Sequence, residues 1–422
     1  MIEDLKTKIF ILVFIFYPFS LWALTLQQAI SLAMKTYPPL KEKLHLKEKT
    51  QFLYKASFDP YFPTLSSEFS YERTFESSMH TIGRLWDNQY TFGLTISYRL
   101  FDGGYRWSQR QQSAFVFDQA IAEIEIIKND LKFLVKKAFY KCLAMKKIWE
   151  VRKEAESIAK KNYELAMARR KVGVAMLSDV TQAQVRYTNA RMETLTAQKD
   201  LEKVEGDLNS LIGWPLNKSI TLEGKLNHKW INVNFSVLKE MAFKYRPEIK
   251  KQLLEVKKAE VAIKGYRSAY FPKLDTKLSF YRFDNEPALG EKEAVFLVSL
   301  SYDLFDGLGR YYKVSAQRRT LKAEQAKLDE IKREISLEIY QAYKDLELAF
   351  ANMNIAAELV KEAEVNYNQA YGEYKVGKGD IISLIQAEMN LAESKVKWVE
   401  QILNYNIAIS ALEKAVFAEI PK

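Results

Sequence analysis

The sequence predicts a mixed α and β membrane protein built from two internal repeats, and three observations carry that reading. From Gly103 to Val172 the chain runs without a proline and, after Gly104, without another glycine. As one helix of about seventy residues this would extend about 105 Å, whereas ordinary helices average about a dozen residues. The rod then recurs from Gly307 to Val376, again proline-free, and each copy is opened by Leu-Phe-Asp-Gly and closed by Lys-Val-Gly, which marks a duplicated unit. Ahead of each rod, apolar and polar residues alternate singly, the pattern of strands with one apolar and one polar face.

Composition narrows the function classes. A chain of 422 residues has room for two or three ordinary domains, but the repeated rods argue for one elongated unit. The single cysteine, Cys142, excludes an internal disulfide, and its mid-helix place among aliphatic neighbours reads as a core residue. His45, His80 and His228 are scattered without partners at ligand spacing, so neither a zinc site nor a histidine-based triad is expected. The formal net charge is +10, yet Lys and Arg are interleaved with Glu and Asp along the helices. That is a solvated helix surface and not a nucleic-acid footprint. No catalytic constellation is visible, and neither metal nor cofactor is expected.

Residues 1–23 read as a secretory signal: Lys6 and Lys8 precede the apolar run Ile9 to Phe16, and Leu21-Trp22-Ala23 offers a cleavage site. The first repeat is expected over 24–212. Thr25 to Tyr37 is a short amphipathic helix broken at Pro38-Pro39, and Leu40 to Phe58 forms another, ended by Asp59-Pro60 and Pro63. A β-hairpin at about 62–102 follows. Leu65, Ser67, Phe69 and Tyr71 alternate with Ser66, Glu68, Ser70 and Glu72. Tyr90, Phe92, Leu94, Ile96, Tyr98 and Leu100 do the same with Thr91, Gly93, Thr95, Ser97 and Arg99, and Glu76 to Asn88 is read as the loop between them.

The long helix at about 103–172 places Ile124, Ile127, Leu131, Leu134, Val135 and Ala138 at helical spacing, and Asp102 suits its N-cap. Its partner returns over about 176–212. A linker at 213–235 leads to the second repeat, 236–418, with a hairpin at about 271–306, a long helix at about 307–376 capped by Asp306 and a return helix at about 380–418. Residues 419–422 end the chain. In this copy Leu274, Thr276, Leu278 and Phe280 form one strand face, and Phe296, Val298, Leu300, Tyr302 and Leu304 another. Tyr61-Phe62-Pro63 returns as Tyr270-Phe271-Pro272.

Strands of roughly ten residues suit a tilted crossing of a bilayer's hydrocarbon layer, and the aromatics Tyr90, Tyr98, Phe101, Tyr270, Phe271, Tyr302 and Phe305 crowd their ends. Four strands cannot close a barrel, and an open edge in lipid leaves backbone groups unsatisfied at several kcal/mol each. Sister copies must supply the missing strands; three copies give about twelve, so a homotrimer is the simplest count.

Assembled in this order, the sequence resembles the TolC-like outer-membrane efflux proteins over essentially the whole mature chain. The shared motifs are the proline-interrupted helices (Tyr37-Pro38-Pro39-Leu40; Arg246-Pro247-Glu248-Ile249), the Phe-Pro lead into each hairpin, Leu-Phe-Asp-Gly at its exit and a Val-Gly tip. The resemblance implies a trimer whose twelve-stranded transmembrane β-barrel, four strands per protomer, sits in outer-membrane lipid and continues into a long periplasmic α-helical barrel. It implies the exit duct of a tripartite efflux pump, docked through its tips to a periplasmic adaptor and an inner-membrane transporter, with no catalysis and no cofactor. Two alternatives share features with this reading: the outer-membrane component of a type I protein secretion system, and a periplasmic coiled-coil adaptor or scaffold, which would lack amphipathic strands.

The same resemblance assigns roles at the tips. Val172, Gly173 and Val174 match the family's Val-Gly-Leu adaptor contact, and Val376, Gly377 and Lys378 are its counterpart in the second copy. Asp179 and Tyr374 stand at the family's gate positions. The gate arginine is replaced by Gly379, leaving Lys378 as the candidate substitute. Ser383 and Gln386 occupy the family's acidic ring, so no strongly cation-binding constriction is expected.

Overall fold

The computed structural model describes residues 23–76, 85–227, 229–231, 234–284 and 291–420. The expected signal segment up to Trp22, residues 77–84 of the expected hairpin loop, and His80 and His228 lie outside the described residues. Two-residue strand β1 (Leu24–Thr25) leads into helices α1 (Leu26–Thr36) and α2 (Pro38–Ala56). The antiparallel pair β2 (Thr64–Glu76) and β3 (Leu85–Phe101) follows, then the unbroken helix α3 (Tyr105–Lys171) and its return α4 (Leu177–Ile212). Strand β4 (Leu222–Glu223) pairs in parallel with β1. The same order then runs again: α5 (Phe235–Tyr245), α6 (Pro247–Arg267), β5 (Lys273–Asp284), β6 (Glu291–Ser301), α7 (Gly309–Val376) and α8 (Ile381–Val416). No described helix is long and apolar enough to cross a membrane.

The element ends correct several expectations. Pro38 and Pro39 do more than break α1: they occupy the first positions of α2, where a missing N–H is no loss. Strand β3 starts at Leu85, five residues before the alternation begins, because its backbone pairs with Arg73 to Glu76 despite the polar run Asp87, Asn88 and Gln89. Strand β6 stops at Ser301, so Tyr302 and Leu304 are not strand residues. Its partner β5 begins only at Lys273, opposite Ser301, after a 3-10 turn over Ser268–Tyr270 and a proline that lacks the N–H a ladder needs. Residues Asp102 and Asp306 cap their helices from three residues ahead of the first helical residue.

By compactness the chain divides into two units. One comprises Met1–Thr36, Leu134–His228 and Ala349–Ile407, and the other Tyr37–Phe133, Lys229–Leu348 and Ala408–Lys422, so each draws on both halves of the sequence. In the first unit α4 buries Ala183, Ala190, Ala197 and Val204 at a seven-residue spacing, small side chains that let neighbouring helices approach. Ala144, Ile148, Ala197 and Val399 form one of its core clusters, with Trp149, Leu226 and Leu403 packed against it. Cys142 is buried there and its thiol donates to the Val204 carbonyl at 3.3 Å.

The second unit holds the sheet, ordered β2-β3-β5-β6 and antiparallel throughout. Register aligns the apolar residues across strands: Leu65 faces Ile96, which faces Leu278, which faces Phe296. The opposite face is mainly polar, with Ser66, Thr95 and Ser279 in one row and an Arg99–Asp275 ion pair at 2.8 Å in another, and Val295 and Leu297 of β6 are among its apolar exceptions. Among the described residues β2 and β6 are bonded on one side only.

Each long helix leaves the sheet through the same clamp. The Asp102 carboxylate accepts from the Gly104 and Arg106 amides at 3.0 and 2.9 Å and pairs with the Arg106 guanidinium at 3.0 Å. That guanidinium also donates to the Pro60 carbonyl at 2.8 Å and lies over Tyr61. In the second copy Asp306 accepts from the Arg310 amide at 2.8 Å and pairs with its guanidinium at 3.2 Å, which donates to the Ala269 carbonyl and lies over Tyr270. The arginine four residues after each Asp-Gly aspartate was visible in the sequence as a repeated Asp-x-x-x-Arg, but only geometry shows that it ties helix to hairpin.

Candidate functional site at the helix tips

The predicted tip residues all belong to the first unit. At the end of α3 the Gly173 amide donates to the Arg170 carbonyl at 2.9 Å and the Val174 amide to the Arg169 carbonyl at 3.0 Å. These are the paired bonds of a Schellman cap, which requires the left-handed φ of 82° at Gly173. Helix α7 ends in the same way: Gly377, at φ 85°, donates to the Tyr374 carbonyl and the Lys378 amide to the Glu373 carbonyl. The duplicated cap leaves Val172 and Val376 standing out at 74% and 69% exposure, with Val174, Met176, Leu177 and Ile382 exposed around them. Such an apolar surface is unfavourable in water.

The charges around this surface divide by sign. Arg170, Lys171, Lys375 and Lys378 are exposed, where the helix C-terminal dipole favours cations. The carboxylates instead serve as caps. Asp179 accepts from the Met176 amide at 3.0 Å. Asp380 accepts from the Ser383 amide at 2.9 Å and from its hydroxyl at 2.7 Å, bonds that hold its carboxyl below the usual carboxylate range.

Tyr374 is 2% exposed and packs with Ala166, Ala183, Ile381 and Leu384. Burial pushes its phenol up, the nearby Asp179 charge adds to that, and Arg169 opposes it. Its hydroxyl has no hydrogen-bond partner among the described residues. The structure thus brings Tyr374 and Asp179 within electrostatic reach of each other without bonding them. Lys378 is exposed and forms no ion pair among the described residues. Ser383 is taken up in the α8 cap, and Gln386 is exposed and donates to Asn390 at 2.9 Å, so both positions are neutral.

Sequence reasoning missed Arg169. Its guanidinium lies 4.7 Å from the Tyr374 ring centroid and donates to the Tyr374 and Lys375 carbonyls, pinning the end of α7 to the end of α3. It also missed a buried polar cluster farther inside the helix ends. Arg186 of α4 pairs with Glu388 of α8 at 3.0 Å and with Glu193 at 3.1 Å. Asn162 of α3 donates to Glu388 at 2.7 Å, and Arg152 reaches Glu193 at 2.9 Å. The signal was present: Arg186 and Glu193 each follow a heptad alanine by three positions, and Glu388 interrupts the apolar series Ile381, Leu384, Leu391.

The family model described as outer membrane efflux protein matches residues 29–214 and 238–416 of this chain. Protein CyaE of Bordetella pertussis is 23% identical over 385 residues, 89% of this chain and 80% of that protein. The outer membrane efflux protein BepC of Brucella suis is 20% identical over 400 residues, 93% of this chain and 85% of its own length. Among solved structures, the Campylobacter jejuni CmeC outer membrane channel superposes with a TM-score of 0.80 at 16% identity, over 93% of this chain and 85% of that one. The open state of the Neisseria gonorrhoeae MtrE outer membrane channel gives 0.78 at 16% identity, over 94% and 89%.

Proposed function

The chain belongs to the outer membrane efflux protein family, and from that premise we propose that it is the outer-membrane exit duct of a tripartite efflux pump, working as a homotrimer. The observation that carries this reading is the sheet. Its four strands present one apolar face in register and end in two strands, β2 and β6, that are bonded on one side only. A face of that kind suits hydrocarbon, and in hydrocarbon each unpaired backbone group is unfavourable by several kcal/mol. Joining β6 of one copy to β2 of the next removes both edges at once. Three copies give about twelve strands, wide enough for a water-filled lumen lined by the polar face.

The helical part then forms the periplasmic tunnel, and the apolar tips built around Val172-Gly173-Val174 and Val376-Gly377-Lys378 dock a periplasmic adaptor, which links the duct to an energy-supplying inner-membrane transporter. Asp179, Tyr374 and Lys378 act at the closed entrance, where Ser383 and Gln386 leave the constriction neutral. Small molecules pass through without a tight pocket or a chemical step. Outer-membrane fractions extracted with detergent and reconstituted in planar bilayers test the proposal. The expected product is a three-chain particle with discrete conductance steps. A water-soluble, non-conducting single chain would overturn it.

A further inference from the structure

We infer that Arg186 and Glu388 are positioning residues for the entrance: their ion pair is the fixed pivot that holds the two helical hairpins together, so only the segments between it and the tips part on opening. The inference rests on the duct reading above and concerns residues which that reading leaves unassigned.

The pair is 3.0 Å long, and its side chains are 5% and 1% exposed. It joins α4 to α8, while Asn162 brings in α3 through its 2.7 Å bond to Glu388. Tyr367 of α7 completes the set: burial, followed by the Glu388 charge, raises its phenol pKa to about 12, with a hydrogen bond involving Asn162 opposing the rise. All four helices that end at the tips therefore meet at one buried charged centre. Counted along each helix, that centre lies roughly 10–15 Å inside the helix ends.

Between the centre and the tips the packing is of another kind. Ala166, Ala183, Tyr374, Ile381 and Leu384 form an apolar cluster, with Val180, Ala370 and Ile385 against it. Apolar contacts are non-directional and can slide or separate gradually. A buried ion pair has no such intermediate, because pulling its partners apart leaves two uncompensated charges. Among the described residues the one charged tie on the tip side, Arg169 to the Tyr374 and Lys375 carbonyls, has neutral acceptors and strands no carboxylate when it breaks. A motion that opens the tips therefore releases it, loosens the apolar cluster and stops at Arg186–Glu388. The other carboxylate at this level, Glu193, pairs with Arg186 but is shared with Arg152 and is 34% exposed. If Glu388 withdraws, Arg186 keeps only that shared partner, while Glu388 has no other cation bonded to it among the described residues.

The test uses the full-length trimer. In planar bilayers Arg186→Met, which strands Glu388 without a cation, and Glu388→Gln, which leaves Arg186 only the Glu193 it shares with Arg152, are each expected to raise the closed-state current at least about tenfold. The double variant Arg186→Met with Glu388→Leu, which replaces the pair by apolar contact, is expected to recover the melting temperature but to keep the closed-state current above the parent level, because apolar contact can slide. Single variants that melt at lower temperature but keep the parent closed-state current would overturn the inference and reduce the pair to a stabilising role. Hydrogen exchange on the parent protein reads the pivot without any channel assay. Amides of 177–185 and 381–387 are expected to exchange faster than those of 189–200 and 390–400. Uniform exchange across that boundary would also overturn it. A parent protein that conducts no current but keeps the exchange boundary would count against the duct and leave the pivot standing.

Discussion

Leu308 stands where the first half of the chain has Gly104, and both backbones are left-handed, at φ 69° and 87°. An L side chain in that conformation is disfavoured by about 1–2 kcal/mol. Leu308→Gly is therefore expected to raise stability by about 1 kcal/mol, and Gly104→Ala, which meets no atom within 4 Å, to lower it by a similar amount. Gly103→Ala should be worse, since a Cβ there would lie 2.7 Å from the Ser268 carbonyl oxygen. Urea midpoints at unchanged m-value check the series, and a Leu308→Gly variant weaker than the parent would refute it. Cys142 gives a second test. Burial first, then Glu205 and Asp207, push its thiol up to about 12. Native protein at pH 8 should resist maleimide and react fully in denaturant, as intact-mass measurement will show. The core role of Cys142 was legible from its aliphatic neighbours. The strain at Leu308 was not, because it comes from the strand-to-helix turn and leaves no mark on the residue type.

Elements were legible where a period runs uninterrupted, which is why both long helices and the apolar strand faces could be read from spacing alone. Their ends depend on partners elsewhere in the chain. Strand β3 extends to Leu85 because Glu76 is opposite it, and β6 stops at Ser301 because β5 begins there. The buried cluster at Arg186 escaped for a related reason: a charge in an apolar heptad place looks like a solvated residue until the facing helix supplies its counter-charge. The two Asp–Arg clamps allow a comparison between elements. Removing a charged hydrogen-bond partner is unfavourable by about 1.5–3 kcal/mol. Arg106→Ala strands Asp102 at 6% exposure, whereas Arg310→Ala leaves Asp306 at 30%, within reach of water. The first substitution should therefore lower the melting temperature more than the second, and the reverse order would contradict the assigned geometry. Where α6 meets α3, the hydrogen bond from Lys251, with its charge and that of Lys43, holds the Glu123 carboxyl below its usual range. Its folded pKa is the lower one, so its contribution is present above the ordinary carboxylate value of about 4.3 and fades as pH falls through the folded value. Glu123→Gln should flatten the acid limb of the stability profile and leave the limb above pH 7 unchanged; an unaltered acid limb would refute the assignment.

At the scale of the whole molecule the physical requirement is closure, and closure makes a prediction about which edges meet. A ring that joins β6 of each copy to β2 of the next is heterologous: the two surfaces differ, and the rotation must close after a fixed number of copies. Ser66 of β2 and Ser299 of β6 both lie on the polar face, so cysteines there leave the apolar face untouched, and buried Cys142 contributes no background reaction. Bismaleimide treatment of a Ser66→Cys/Ser299→Cys variant in detergent should give a ladder of one, two and three linked chains with nothing beyond three. Each single-cysteine variant should give no linked product, because like edges do not face each other in a heterologous ring. Pairs formed by either single variant would show a two-fold, edge-to-identical-edge contact, which leaves the other edge of every copy open in lipid. A ladder continuing past three would show a wider ring or an open filament. Either result would remove the twelve-stranded barrel while leaving family membership intact, because that membership rests on the match over 29–214 and 238–416 and does not depend on how the copies join.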